Sequence, residues 1–419
     1  MSESSEYKPR RVIVTAIGVI SPLGSGATEN AAALRVGRDG VRPVTTFDVS
    51  KTRSKAAGQV GMRNDSPNCR PPLVPGAAAS PERETRQGRK LHPASEMMIA
   101  AARELAAADP AFTPELAVIG TTSGGMSFGE QYLRAQLDRC RPRETAFWLA
   151  NYMPQKAVLD ALFACTWEAP QQIIANACAS GANAIGHAFR VVRAGKYERV
   201  LCGGYDALSE LVFVGFDSLQ ASTPEKIRPF DKDRSGLVLG EGAALLALED
   251  FASAQRRGAP MLGEITGYGI STDNHHLTQP HPSGVGPRQA MERALADAGR
   301  TPGEVDYINA HGTATKFNDA TEGAAIEELF GARVPVSSTK SMMGHALGGA
   351  GAIEAVFSIL ALRGQFLPPN INYLEADPAF TLNIVANTAR EAALNCVVSN
   401  SFGFGGTNAS LVIEALRAS

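Results

Sequence analysis

The chain has 419 residues, 44% of them hydrophobic and 20% charged, with a formal net charge of -2. These values describe a globular protein with a large core, and they exclude the broad basic field on which a nucleic-acid-holding protein depends. At roughly 150 residues per domain, the length implies two or three domains or one large duplicated unit.

Residues 1–10 read as a disordered start. The apolar run that follows is short and interrupted by Thr15 and Gly18, so it has neither a signal-peptide layout nor the length of a bilayer span, and a cytoplasmic protein is expected. Arg11 to Ile20 reads as a buried strand ending at Ser21-Pro22-Leu23-Gly24. A helix is expected from about Glu29, with Thr28 or Ser25 near its cap. Residues 64–89, rich in Pro, Ala and Arg, form the best loop candidate. At its end, Arg83, Arg86, Arg89 and Lys90 make a basic run diluted by Glu82 and Glu84; such runs are commonly solvated faces. A helix from Ser95 to about Ala107 precedes a strand at Leu116–Ile119, which ends in Gly120-Thr121-Thr122-Ser123-Gly124-Gly125.

The strand Gln171–Ala175 runs into Asn176-Ala177-Cys178-Ala179-Ser180-Gly181. Ile185, Ala188, Phe189 and Val192 then fall on one helix face, and Val200–Gly204 returns as a strand. The alternation recurs in the second half. Tyr307–Ala310 enters His311-Gly312-Thr313-Ala314-Thr315, and a helix starts near Asp319. Val334–Val336 leads to Ser337 through Lys340, and a small-residue helix carries Ile353, Val356, Ile359 and Leu360. Val397–Asn400 and Leu411–Ile413 close the chain as strands. Alternating strands and helices imply an α/β fold with buried sheets. Both halves open with a strand ending in a glycine turn, which suggests a duplication: 11–258 and 259–419, with the seam near Gly258 to Leu262.

Several residues carry chemistry. Cys178 sits at a strand-to-helix turn among small neighbours, where helix N–H groups favour a thiolate. A free cysteine is as readily a small buried hydrophobe, so position alone leaves both readings open. The other cysteines, Cys69, Cys140, Cys165, Cys202 and Cys396, form no CxxC pair and no zinc-type spacing, which fits free thiols in a reducing compartment. His311 and His345 both follow strand ends, where catalytic groups of α/β sheets gather. Lys340 is either an exposed lysine or a buried one that tunes local charge, and Glu354 is its candidate partner. His275, His276 and His281 do not share a helix face, which argues against a metal site. No glycine segment has a phosphate-loop pattern.

Together these segments resemble the β-ketoacyl-acyl carrier protein synthases of the elongating kind. The likeness rests on Ala177-Cys178-Ala179-Ser180-Gly181, His311 through Thr315, Ser338-Thr339-Lys340-Ser341 with Gly344-His345, and Asn400 through Asn408. Arg228-Pro229-Phe230-Asp231 and Gly240-Glu241-Gly242 also match, and the likeness spans about Arg11 to Leu416. It implies a thiolase-type fold, two similar halves layered as helix, sheet, helix, sheet, helix, and a dimer. It implies that Cys178 carries the acyl chain, that His311 and His345 assist malonyl decarboxylation, and that Lys340 and Glu354 form a supporting ion pair. It assigns Thr313 and Thr315 to the phosphopantetheine arm and Phe404 to a gate whose N–H joins that of Cys178 in an oxyanion hole. Ser123 and Phe402 are expected in the acyl channel. No free cofactor is expected, because acyl carrier protein delivers both reactants, and Arg83, Arg86, Arg89 and Lys90 become a candidate docking patch for that acidic partner.

The sequence also departs from the resemblance. Asn176 stands where threonine is expected, Ser123 where a bulkier apolar residue is expected, and the loop from Phe216 to Arg228 is short. With the composition of 64–89, these features suggest a specialised synthase of polyene or polyketide assembly. Rival readings are a thiolase using Cys396, a priming synthase pairing one histidine with asparagine, and an inactive chain-length subunit. The presence of Cys178, His311, Lys340 and His345 favours an active decarboxylating subunit, in a homodimer or beside a synthase-like partner.

Overall fold

Two runs of the chain build the same strand pattern twice. The computed structural model describes residues 9–61, 91–139 and 144–416; the candidate docking residues Arg83, Arg86, Arg89 and Lys90 lie outside them. The first run supplies β1 (Val12–Ser21), β2 (Leu116–Gly120), β3 (Gln171–Ile174), β4 (Arg199–Asp206) and β5 (Gly242–Asp250). The second supplies β6 (Gly263–Thr272), β7 (Tyr307–Asn309), β8 (Pro335–Ser337), β9 (Cys396–Gly403) and β10 (Thr407–Glu414). Within the first the order is β1-β5-β4-β2-β3, and within the second β6-β10-β9-β7-β8. In each, the first strand pairs antiparallel with the fifth and the fifth with the fourth, while the fourth, second and third run parallel. The halves meet where Val12–Val14 of β1 pairs with Gly263–Ile265 of β6.

Helices cover and separate the sheets: α1 (Pro93–Ala108), α2 (Gln155–Ala164), α3 (Ser180–Arg193), α4 (Val285–Ala298), α5 (Lys316–Phe330) and α6 (Ala350–Gly364). Burial sorts them into layers. Met97, Met98, Ala101 and Leu105 of α1 pack with α2 on one outer face of the first sheet. Ile185, Phe189 and Val192 of α3 share the central core with Ile353, Val356 and Ile359 of α6. Met291 of α4 and Ile326 of α5 pack on the outer face of the second sheet. The result is the thiolase-like αβαβα arrangement. Strands clad on both faces can be apolar along their whole length, and every residue of β1, β2 and β5 is buried. The stretch Leu347–Gly364 is long and apolar enough to cross a membrane by length and composition, but it is 83% buried. It is the central layer, and a helix that is apolar all round belongs in such a core.

Some local readings shift. The first helix begins at Ala27 behind Gly26, whose φ of 90° ends the turn, so neither Thr28 nor Ser25 caps it. Glu29 instead reaches back to accept from the Ser25 N–H. Further helices at Met126–Leu137, Thr145–Tyr152 and Glu210–Ser218 lie in stretches for which the sequence pattern gave no element.

The fit between β2 and the start of α3 sets where Cys178 stands. A Cβ on Gly120 would lie 2.3 Å from the Ser180 carbonyl carbon, so only glycine lets the strand approach. Gly120→Ala should therefore destabilise the protein by about 1–3 kcal/mol, read as a lower urea midpoint. An unchanged midpoint would show that the helix start yields freely.

Candidate active site

Cys178 stands on the turn between β3 and α3. Ala177 takes a φ of 58°, and the Ser180 hydroxyl fastens the turn by donating to the Ala177 carbonyl at 2.6 Å and accepting from the Asn176 N–H at 2.9 Å. Cys178 is 6% exposed and lines a cavity of about 430 Å3. His311, His345, Thr313, Phe402 and Phe404 line the same cavity. The backbone N–H groups of Cys178 and Phe404 both act on the sulfur and favour its ionised form. Two donors therefore converge where a carbonyl oxygen of an attacked thioester would develop charge.

Burial has the largest effect on the thiol and pushes it up to about 12; Lys340 and the two N–H donors act the other way, while Asp206 raises it further. This corrects the thiolate expected from the helix terminus. In so dry a place desolvation outweighs the dipole, and the resting group is a neutral thiol.

The imidazoles of His311 and His345 meet edge to face at 5.2 Å between centroids, and Phe402 lies 5.7 Å from His311. Burial, then Lys340, holds both well below the ordinary histidine range, and His345 adds to the effect on His311. Both rings are therefore neutral. No hydrogen-bond partner for either Nδ1 is found among the described residues, so ring nitrogens remain available to a ligand.

The structure brings Lys340 and Glu354 together as a fully buried ion pair at 2.5 Å. Lys340 begins a short helix after β8, and Glu354 projects from α6 of the central layer. Thr313 and Thr315 lie side by side, oxygens 2.9 Å apart, and Thr315 also caps α5 through the Asn318 N–H. Ser123 does not line the cavity: its hydroxyl and N–H both donate to Asp206. Cys202 and Cys396 are buried away from the cavity, in the central and outer cores, which leaves the thiolase reading without its second cysteine. His275 and His281 touch at 4.9 Å, yet among the described residues no three His, Cys, Asp or Glu gather as metal ligands.

Three further residues support the site. Glu322 on α5 accepts from the His311 and Gly312 N–H groups, each at 2.8 Å, and so fixes the histidine loop. Asp206 at the end of β4 accepts from Thr121, Thr122, Ser123 and Gly348, joining both halves below the cysteine. Phe216 stacks on Phe404, centroids 5.4 Å apart, and holds that side chain at the cavity wall. Glu322 was within reach of pattern analysis, because Asp319, Glu322, Ile326 and Phe330 share one helix face and thus place two carboxylates toward a core.

A neutral resting thiol has a measurable consequence. Alkylation of Cys178 by iodoacetamide should accelerate from about pH 8 to about pH 11 without a plateau. A rate that levels off near neutral pH would mean that the thiolate already predominates.

Comparison with known proteins agrees with the geometry. The β-ketoacyl synthase N-terminal domain matches residues 9–254, and the C-terminal domain matches residues 262–374. The chain is 36% identical to 3-oxoacyl-[acyl-carrier-protein] synthase 2 of Synechocystis sp., over 98% of this chain and 99% of that one. Among solved structures, the ishigamide ketosynthase/chain length factor superposes with a TM-score of 0.86 at 34% identity, covering 98% of this chain and all of that one. A type II polyketide ketosynthase in complex with its acyl-carrier protein superposes with a TM-score of 0.85 at 26% identity, covering 97% and 100%. On domain matches that together span most of its length and a relative aligned from end to end, the chain belongs to the β-ketoacyl synthase family.

Proposed function

We propose that Cys178 takes an acyl group from an acyl carrier protein and that the same cavity condenses it with a malonyl unit, giving 3-oxoacyl carrier protein and carbon dioxide. The observation that carries this reading is the convergence of a buried thiol, two N–H donors and two neutral imidazoles on one cavity.

In the first step the Cys178 sulfur attacks the thioester carbonyl as its proton passes to a neutral imidazole. The oxyanion rests on the N–H groups of Cys178 and Phe404, each such donor contributing about 3 kcal/mol. Collapse breaks the bond to the pantetheine sulfur, which departs with the proton. In the second step malonyl enters on another arm. Its carbon–carboxylate bond breaks, carbon dioxide leaves, and the electron pair forms an enolate whose oxygen accepts from His311 and His345. The enolate carbon attacks the acyl-Cys178 carbonyl, and the cysteine sulfur leaves and regains a proton from the medium. Thr313 and Thr315 hold the arm, Phe402 and Phe404 border the acyl group, and burial with the help of Lys340 keeps the imidazoles neutral. Both reactants ride on phosphopantetheine, so no free cofactor takes part. The chain works in the cytoplasm beside its carrier, with Arg83, Arg86, Arg89 and Lys90 as a docking patch.

A partner subunit completes the assembly. Among the described residues β3 has one strand neighbour and ends its sheet, and Leu137, Leu149 and Phe163 on nearby helices are exposed at 73%, 50% and 72%. An open edge beside apolar surface suits association through that side. The ketosynthase/chain length factor pairing of the structural relative supports a second reading, in which that partner is a synthase-like subunit of a specialised pathway.

Cys178→Ala should abolish condensation, and Cys178→Gln should retain malonyl decarboxylation. His311→Ala and His345→Ala should each lower decarboxylation by about a hundredfold or more while the fold survives. Condensation by the alanine variant, or normal malonyl turnover in both histidine variants, would overturn these assignments. Size-exclusion chromatography alone and with a synthase-like chain-length subunit separates the two assemblies: a stable dimer alone supports the homodimer, and a complex formed only on mixing supports the heterodimer.

A further inference from the structure

The cavity changes character from floor to mouth. Cys178, His311 and Thr313 are buried, Thr315 is half-buried, and Lys316 and Arg53 are exposed while still lining the same space. Lys316 is the first residue of α5, directly after the arm-facing Thr315. Among the described residues neither side chain has a carboxylate within ion-pair distance. The Arg53 guanidinium is steadied by a single bond to the Ser222 carbonyl at 3.3 Å, while Asp217 accepts from the Arg53 and Ser54 backbone instead. The carboxylate that lines the cavity, Asp273, is engaged by the Asn408 side chain and the His281 N–H. In the first turn of α5, Asp319 is buried and accepts from the Ala314 and Phe230 N–H groups. Among the described residues the mouth therefore presents two cations without a carboxylate partner.

We propose that Lys316 and Arg53 form a phosphate-binding rim for the carrier's pantetheine arm. The inference rests on the reading of this cavity as the arm's channel. A phosphopantetheine arm carries its thioester at one end and its phosphodiester at the other. With the thioester carbonyl at Cys178 and the amides at Thr313 and Thr315, the phosphate comes to the exposed end. Lys316 offers a mobile ammonium and Arg53 a planar guanidinium, two complementary donors for one anionic group. The rim aligns the arm before the acyl group reaches the cysteine, and it discriminates against thioesters that lack the phosphate.

The test compares one acyl group presented as its pantetheine thioester and as its 4'-phosphopantetheine thioester, with loading of Cys178 followed by intact-protein mass. The readout is the ratio of the two rate constants within each protein, which cancels losses of folded enzyme. The wild type should favour the phosphorylated arm by about tenfold or more. Lys316→Gln and Arg53→Gln should each reduce the ratio, the double variant should bring it near one, and Lys316→Arg should restore most of it. Rising salt should lower the wild-type ratio toward that of the double variant. Equal loading from both thioesters in the wild type, or a ratio retained in the double variant, overturns the rim alone. Failure of both thioesters to load wild-type Cys178 overturns the function proposed above and the rim with it.

Discussion

A lysine with no exposure sets the electrostatics of this site. Lys340 acts on both imidazoles and on the thiol, and Glu354 pairs with it from the central helix. Burying such a pair seldom adds stability, since desolvation offsets the attraction. Its effect lies in the neighbours. The cation works with burial to depress both histidines, and works against burial on the cysteine. One group thus biases three others toward a chamber of neutral rings and a thiol that can be made to ionise.

The duplication explains how these groups meet. The third strand of the first half, β3, leads to Cys178, and the third strand of the second, β8, leads to Lys340. The second strand of the first half, β2, leads into the Asp206-bound loop 121–123, and its counterpart β7 leads to His311. The fourth strands end at Asp206 and next to Phe404. Equivalent strand ends therefore face each other across the central helices. One half supplies the nucleophile and a carboxylate that ties its loops together, and the other supplies the imidazoles, the lysine and the second N–H donor. Gly403 sits where the second half must approach the first half's turn closely: a Cβ there would lie 3.1 Å from the Cys178 nitrogen.

How legible this was in the sequence depended on whether a residue's environment is local. Strands ending in glycine turns were legible, because short apolar runs bounded by Gly and Ser carry their own boundary signals. The strand β5 was not: Gly-Ala-Ala-Leu-Leu-Ala-Leu is helix-forming composition, and only its place between β1 and β4 makes it a strand. The approach of Lys340 to Glu354 follows from tertiary packing that no spacing rule encodes, and helix spacing turns Glu322 toward a core without showing that the His311 loop meets it there. The thiolate expectation failed for the same reason. A helix terminus can be read from sequence, whereas the depth of burial that overrides it cannot. The resemblance places Ser123 in the acyl channel, yet its hydroxyl donates to a buried carboxylate arriving from β4.

The gradient of charge along the cavity bears on why decarboxylation belongs at its floor. Cations stand at the mouth, hydroxyls line the middle, and neutral imidazoles with an already paired lysine surround the sulfur. In the proposed reaction a malonyl carboxylate brought to that floor exchanges water for groups that are uncharged. Its ionised form is disfavoured there, and release of carbon dioxide removes the carboxylate and moves its electron pair toward the thioester oxygen. That oxygen is where imidazole N–H donors can meet it, so the site is poorly matched to the reactant and well matched to the enolate. An additional free cation beside the imidazoles would reverse this preference by stabilising the carboxylate in place. The pairing of Lys340 with Glu354 is therefore a condition for breaking the carbon–carbon bond, and a lone lysine at that position would bind malonyl without favouring its loss of carbon dioxide.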